Sequence, residues 1–127
     1  MLRGYSRGVN ESLTERPERQ TVLRSFAGTI HAWPADVFEA LVEQVRPDDQ
    51  SQFFADPAER FAVVQGGWWY RAEYTVLEDD AGSRIEFELI NVAQRAHWAG
   101  ALTGRAVIRD SPAAFGALLT TLADRLE

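Results

Sequence analysis

Cysteine is absent from the 127 residues of this chain. Its absence excludes disulfide bonds, thiolate nucleophiles, iron–sulfur clusters and zinc sites built from thiolates. Histidine is scarce, since His31 and His97 are the only two. They form no HxH or HExxH motif, and no Ser or Cys partner is implied beside them. We therefore expect no metal site, no cofactor, and histidines that lie at the surface or form ordinary hydrogen bonds.

Lysine is also absent, so all thirteen basic residues are arginine, a bias typical of a GC-rich bacterial genome. The formal net charge is −6, and the arginines are scattered among acidic residues. This distribution would repel a phosphate backbone, so nucleic-acid binding is not expected. No apolar run reaches the ~20 residues that cross a bilayer, and no signal peptide is recognisable. We expect a cytoplasmic protein without a membrane span.

Length and composition are typical of one globular domain. Hydrophobic residues make up 46% of the chain and charged residues 25%, as in ordinary soluble proteins. Residues 1–20 show little periodicity and many polar or glycine positions, which predicts a flexible or loosely attached N-terminal segment. Residues 21–127 are predicted to form the single domain.

A strand and a helix are predicted at the start of this domain. Alternate positions of residues 21–33 are apolar, which indicates a strand, and Gly28 within it favours a bulge or the close approach of another backbone. Pro34 suits the first position of a helix, and apolar residues follow it at helical spacing until Pro47.

The middle of the chain predicts a short helix or turn near residues 50–58, followed by antiparallel strands. Residues 61–65 fit one strand. After two glycines, residues 68–92 alternate between apolar and polar positions, which predicts a hairpin with its turn near residues 78–83. The apolar face of this hairpin needs a cover, because an isolated hairpin is marginally stable in water.

The other face of the hairpin is predicted to be wet. It carries Arg71, Glu73, Glu86 and Glu88, which are expected to be exposed cross-strand partners worth a few tenths to about 1 kcal/mol each. Trp69 shares the parity of this face, so it is predicted to lie outside the core.

The end of the chain predicts a long amphipathic helix. Ser111 is a good N-cap, Pro112 suits the first helical position, and leucines repeat at helical spacing up to the C-terminus. Residues 94–110 fit a further strand or a helix weakened by two glycines, and we favour a strand or loop that ends near Arg95, followed by mixed structure. The order of elements predicts an α+β fold in which the last helix lies across the sheet.

One segment resembles the first strand and first helix of the SRPBCC or START-like superfamily of helix-grip proteins, which includes polyketide cyclase-like proteins; residues 26–41 read FAGTIHAWPADVFEAL. Residues 67–92 look like the central meander of that superfamily, and residues 111–127 look like its gripping helix. The resemblance implies a curved antiparallel sheet packed on a long C-terminal helix, with one or two short helices after the first strand. It also implies a space between sheet and helix that binds lipids, polyketides, sterols or other apolar molecules.

On this resemblance we expect an apolar or amphipathic small molecule to bind between the sheet and the last helix. The ligand-binding residues would come from both walls: Tyr70, Tyr74, Phe87, Leu89, Asn91, Phe115, Leu119 and Leu122. Two tyrosines on the covered face favour a pocket over a filled core, because buried phenols require hydrogen-bond partners. Asn91 would either orient a bound carbonyl or, as we favour, form a structural hydrogen bond to loop backbone.

Two other functions stay open on the sequence. An enzyme resembling the aromatic polyketide cyclases would orient a poly-β-keto chain with polar groups such as Tyr70, Tyr74, Asn91 or Arg95. No catalytic residue can be named, so we favour a binding protein over an enzyme.

The third hypothesis is a non-catalytic interaction module with a filled core. Its exposed aromatic residues, such as Trp68, Trp69 and Trp98, would form a homodimer or partner surface.

Overall fold

A computed structural model describes residues 13–49 and 51–127, which form a five-stranded antiparallel sheet with helices on one face. The strand order is β1-β5-β4-β3-β2. The elements in chain order are β1 Thr21–Ile30, α1 Pro34–Val45, β2 Gln52–Asp56, β3 Phe61–Gly66, β4 Tyr70–Asp79, β5 Gly82–Asn91, α2 His97–Thr103 and α3 Arg105–Leu126. The predicted α+β class, with an antiparallel sheet and a long C-terminal helix, is confirmed. Within the described ranges, no helix is long and apolar enough to cross a membrane.

The first strand and first helix lie where the sequence places them. α1 begins at Pro34 and buries Val37, Phe38 and Leu41 against the sheet. Gly28 marks neither the predicted bulge, which lies between Val22 and Arg24, nor the approach of another backbone, but the close approach of a side chain of α3. A Cβ atom at Gly28 would overlap the end of Leu119, so the glycine lets α3 lie close to β1.

The short helix or turn expected near residues 50–58 is wrong, because residues 52–56 form the edge strand β2. Its two phenylalanines point to opposite sides of the sheet, Phe53 paired with Val64 and Phe54 with Val63. On the helical side, the guanidinium of Arg46 lies 4.7 Å from the centre of the Phe53 ring. Pairing with β3 supplies backbone hydrogen bonds, which a five-residue pattern cannot reveal by itself.

The C-terminal helix is longer than predicted, since α3 begins at Arg105 and Ser111 is not its N-cap. Pro112 lies inside the helix and has no N–H to donate to the carbonyl of Ile108. The Ser111 hydroxyl donates to that carbonyl instead, at 2.7 Å. A Ser-Pro pair therefore continues a helix here, whereas the sequence pattern resembles a helix start.

The core lies between the inner face of the sheet and the helices. Phe87 of β5 stacks on Phe26 of β1 and on Phe115 of α3, with ring centroids 6.0 and 5.6 Å apart. Ile85, Leu89 and Leu122 are almost completely buried around this stack. The aromatic contacts join two strands to the C-terminal helix and set the distance between them.

Trp69 belongs to the core, so its predicted outer position is wrong. It is 9% exposed, whereas Trp68 is 47% exposed. β4 begins only at Tyr70, and the preceding turn contains Gly67 at a positive φ of 59°. Strand parity does not extend through this turn, so Trp69 points inwards. Its ring lies against the backbone of Gly104, where a Cβ atom would overlap it.

Part of the outer face of the hairpin is covered, contrary to the prediction for Arg71 and Glu73. Arg71 is completely buried, and its guanidinium donates to Glu73 Oε2 at 2.7 Å, Gln65 Oε1 at 2.9 Å and the carbonyl of Leu13 at 2.6 Å. Leu13 is itself buried. The chain before β1 therefore covers part of this face, and the buried charge has three hydrogen-bond acceptors.

Arg16 completes this ionic cluster. Glu73 and Glu88 are directly opposite each other on β4 and β5, an arrangement that is unfavourable for like charges. Arg16 donates to both oxygens of Glu73, at 3.0 and 2.9 Å, and to Glu88 Oε1 at 2.6 Å. Burial alone would raise the pKa of the Glu73 carboxyl, but hydrogen bonds from Arg16 and Arg71 and their positive charges hold that pKa below its ordinary value.

Glu86 is exposed as predicted and pairs with Arg84 at 3.1 Å. The predicted flexible segment, residues 1–20, falls mainly on residues 1–12, which lie outside the described part of the chain.

We expect Glu73→Gln to lower the free energy of unfolding by about 1–3 kcal/mol at neutral pH, because it removes the charge that compensates buried Arg71. A carboxyl whose folded pKa is lowered stabilises the fold above its unfolded pKa of about 4.3, and this contribution disappears as the pH falls through the folded pKa. The difference between wild type and variant should therefore shrink below about pH 4. Urea unfolding across pH measures it. Glu86→Gln, an exposed change on the neighbouring strand, should show almost no difference at any pH, and a constant difference for Glu73→Gln would contradict this linkage.

Candidate functional site

A cleft of about 530 Å³ lies between the inner face of the sheet and the helices α1 and α3. Its walls combine residues of β3, β4, β5, α1 and α3. The lining residues are Gln44, Val45, Val64, Tyr70, Tyr74, Phe87, Leu89, Ala106, Val107, Asp110, Ser111, Ala114, Phe115 and Leu118. The helical rim residues are exposed, so the cleft opens to solvent there.

Strand register brings the floor of the cleft together. Tyr70 and Tyr74 point to the same side of β4, and Tyr74 is directly opposite Phe87 on β5. The rings of Tyr74 and Phe87 are 5.1 Å apart. Between the two tyrosines stands Ala72, a small and fully buried residue. Alanines on the facing side of α3, Ala106 and Ala114, leave the space open, because larger side chains there would extend towards the floor.

The phenol groups of Tyr70 and Tyr74 are the polar feature of this floor. Neither hydroxyl has a hydrogen-bond partner among residues 13–49 and 51–127. Neither oxygen is completely buried, because no completely buried polar side-chain atom in these ranges lacks a partner. They therefore open into the cleft. Burial raises the pKa of Tyr70, and burial with a smaller contribution from Tyr70 raises the pKa of Tyr74. Both phenols are neutral hydrogen-bond donors at physiological pH.

Other polar groups lie at the rim. The hydroxyl of Ser111 is already bonded to Ile108, and Asp110 is paired with Arg109 at 3.1 Å. The hydrogen bond and charge of Arg109 lower the pKa of Asp110, so this carboxylate is ionised at neutral pH. Gln44 adds an amide from α1. The cleft thus has an aromatic floor with two phenols and a polar rim.

Five of the eight predicted ligand-binding residues line the cleft: Tyr70, Tyr74, Phe87, Leu89 and Phe115. Leu119 instead packs against Gly28, and Leu122 is completely buried in the core. Asn91 is 2% exposed and serves the loop after β5, since its amide donates to the carbonyl of His97 at 2.7 Å and its oxygen accepts from the N–H of Ala93 at 3.0 Å. Of its two proposed roles, the structural one applies.

Six of the nine lining residues that sequence reasoning missed lie on α3: Ala106, Val107, Asp110, Ser111, Ala114 and Leu118. Ala106, Val107 and Asp110 lie in the first turns of α3, where the sequence favoured a loop or mixed structure. The sequence did allow the other interpretation of this stretch, a helix, because two glycines weaken a helix but do not prevent it. Gln44 and Val45 lie on the predicted first helix, but the sequence did not place that helix beside the cleft.

Both histidines lie outside the cleft, and both predictions for them are confirmed. His31 is exposed, with 68% of its side chain accessible. The ring nitrogens of His97 form hydrogen bonds with the carbonyl of Ala93 at 2.6 Å and with the hydroxyl of Thr21 at 2.8 Å.

No protein-family model matches this chain, and no curated protein matches it significantly. A solved structure of the protein TTHA0849 from Thermus thermophilus is similar to it with a TM-score of 0.48 and 14% sequence identity. The similarity covers 84% of this chain and 96% of that one. At this level of likeness, it assigns neither a family nor a function.

Alkaline unfolding should report the burial of the two phenols. A raised folded pKa stabilises the fold below the unfolded tyrosine value of about 10, and this contribution is lost as the pH rises through the folded pKa. Tyr74→Phe should therefore lose less stability than wild type between about pH 9 and 11, as measured by urea unfolding at each pH. Trp68→Phe, an exposed aromatic change without an ionisable group, should follow the wild-type curve. Identical curves for Tyr74→Phe and wild type would contradict the buried phenol.

Proposed function

We propose that the cleft binds an amphipathic small molecule, with an apolar body and an oxygen atom that accepts a hydrogen bond. The observation that carries this proposal is the pair of phenol groups, Tyr70 and Tyr74, which open into the cleft without a partner among the described residues. Polar groups in a largely apolar site need partners, and a bound molecule or water must supply them.

Size and lining support the same class of ligand. A volume of about 530 Å³ lies in the usual range for small-molecule sites, roughly 300–1,000 Å³. Phe87, Phe115, Leu89 and Leu118 offer aromatic and aliphatic contacts. Because both phenols are neutral, they would donate to a carbonyl, hydroxyl or ether oxygen of the guest.

We also infer that the fold is a helix-grip of the SRPBCC or START-like kind. The supporting features are the antiparallel sheet, the long C-terminal helix across it and a cleft between the two. They occur in the arrangement that the resemblance of residues 26–41 implies.

The two alternatives have less support. Of the polar groups named for a polyketide cyclase, Tyr70 and Tyr74 line the cleft, whereas Asn91 and Arg95 do not. An interaction module with a filled core has less support because of the open cleft. Of its three aromatic residues, Trp69 is buried, whereas Trp68 and Trp98 are exposed. Binding without an assigned reaction is therefore the function that we propose.

A large side chain placed in the cleft should strongly reduce the binding of a small molecule. Ala114 lines the cleft on α3, and its neighbour Ala113 is exposed on the same helix but does not line it. We expect Ala114→Trp to reduce uptake of the fluorescent probe anilinonaphthalene sulfonate by about tenfold or more, because the indole occupies the guest's space. Ala113→Trp is the matched control and should bind the probe like wild type.

The comparison of these two variants decides whether the cleft is the site. Thermal unfolding followed by circular dichroism should show that both remain folded. Equal probe binding by Ala114→Trp and Ala113→Trp would reject the cleft as the binding site.

Native mass spectrometry of the protein purified from its own host should show a co-purified small molecule, and denaturing conditions should release it. For that molecule, Tyr74→Ala should weaken binding by about tenfold, because it removes aromatic contact area and a hydrogen-bond donor. Glu88→Ala changes the opposite face of the sheet and should have little effect. Equal effects of the two substitutions would argue against the assigned facing.

A further inference from the structure

The corner formed by α2 and the first turns of α3 differs in charge from the rest of the chain. Residues 94–110 contain three arginines, Arg95, Arg105 and Arg109, and one acidic residue, Asp110, which is paired with Arg109, although the whole chain has a net charge of −6. The same corner borders the cleft, because Ala106 and Val107 line its rim. On α3 the basic residues Arg105 and Arg109 lie on the side of the helix away from the rim residue Val107, because a step of two residues turns an α-helix by about 200°.

This corner also exposes large apolar side chains. Trp98 is 74% exposed and Leu102 is 59% exposed, and they lie one turn apart on α2. Val107 at the rim of the cleft is 45% exposed. The opposite side of α2 is anchored: Gly100 is buried against Asn91, and Gly104 after the helix lies against Trp69. Packing on that side holds the apolar residues towards solvent.

Arg109 of this corner is paired with Asp110, whereas other arginines nearby have no carboxylate partner within residues 13–49 and 51–127. Arg105 and Arg109 are one turn apart on α3 and, with Arg24 of β1, line a shallow depression of about 410 Å³. In the part of the chain that the structure describes, no ion pair with an acidic side chain is formed by Arg24, Arg95 or Arg105. Unpaired guanidinium groups suit bidentate contacts with phosphate oxygens.

We propose that this corner docks on an anionic membrane surface. Trp98 and Leu102 would enter the interfacial region, where indole rings are favoured, and the arginines would face the lipid phosphates. The attraction depends on the local charge of the docking surface, which is positive here despite the acidic chain. The docking is independent of whether the cleft holds a guest.

A second exposed tryptophan provides an internal contrast. Trp33 is 79% exposed, but the depression around it contains Asp36, Glu78, Asp79 and Asp80. An anionic surface would repel this region. Trp33 and Trp98 are therefore exposed to a similar extent, but Trp33 has acidic residues around it and Trp98 belongs to a basic segment.

The test is co-sedimentation of the full chain with phosphatidylcholine vesicles that contain or lack phosphatidylglycerol. We expect binding to the anionic vesicles, little binding to the neutral ones, and a decrease as the salt concentration rises. Trp98→Ala should weaken binding by about tenfold, and Arg105→Gln should weaken it by roughly fivefold, the equivalent of about 1 kcal/mol for one basic residue. Trp33→Ala should bind like wild type.

Several outcomes would overturn the proposal. They are the absence of binding to anionic vesicles, equal binding to both kinds of vesicle, and an equal loss in Trp33→Ala and Trp98→Ala. Sedimentation velocity of the protein alone could give a further outcome that overturns the proposal. A dimer that Trp98→Ala dissociates, in a protein that ignores vesicles, would assign the corner to a second copy of the chain. Because Trp98, Arg105 and Trp33 are all exposed, circular dichroism should show the same fold in every variant.

Discussion

The contact of Phe87 with Phe26 and Phe115 is the interaction on which the arrangement of sheet and helix depends. It joins β5 to β1 and α3 through stacked rings with centroids 5.6–6.0 Å apart. Aromatic rings of this size bury large areas and act as rigid spacers. They hold α3 away from the tyrosines of β4, and the small residues on α3 leave that space unfilled. The cleft is therefore a consequence of how bulky and small side chains alternate around one stack.

The opposite face of the sheet obeys a different constraint, the cost of burying charge. Arg71 stands on β4 with no exposure to solvent, so its guanidinium requires acceptors within the protein. Glu73, Gln65 and the carbonyl of Leu13 supply them. Arg16 then separates two carboxylates that strand pairing places opposite each other. The chain before β1 is thus held to the sheet by electrostatics as well as by the burial of Leu13.

Strand alternation and helical spacing predicted much of the fold, because both depend on a few neighbouring residues. Pro34 began α1 as expected, and the inward positions of Tyr74 and Phe87 followed from parity within one hairpin. The same rules failed where a pattern was short or interrupted. β2 has five residues, and its strand character depends on pairing with β3. Ser111 and Pro112 resemble a helix start, but the surrounding turns of α3 continue through them.

The sequence by itself determined the α+β class, the apolar face of the hairpin and five of the residues around the cleft. The class and the apolar face depend on local periodicity, whereas the five residues were expected from the resemblance to helix-grip proteins. Only the tertiary structure decided that Arg71 and Trp69 are buried, that Asn91 serves a loop, and that Trp98 is exposed. Each of these depends on what a distant segment covers: the chain near Leu13 for Arg71, Gly104 for Trp69, and the anchoring of α2 on β5 for Trp98. When a residue is buried by a segment far away in the sequence, no periodic pattern around that residue predicts the burial. The tertiary structure is therefore needed to show it.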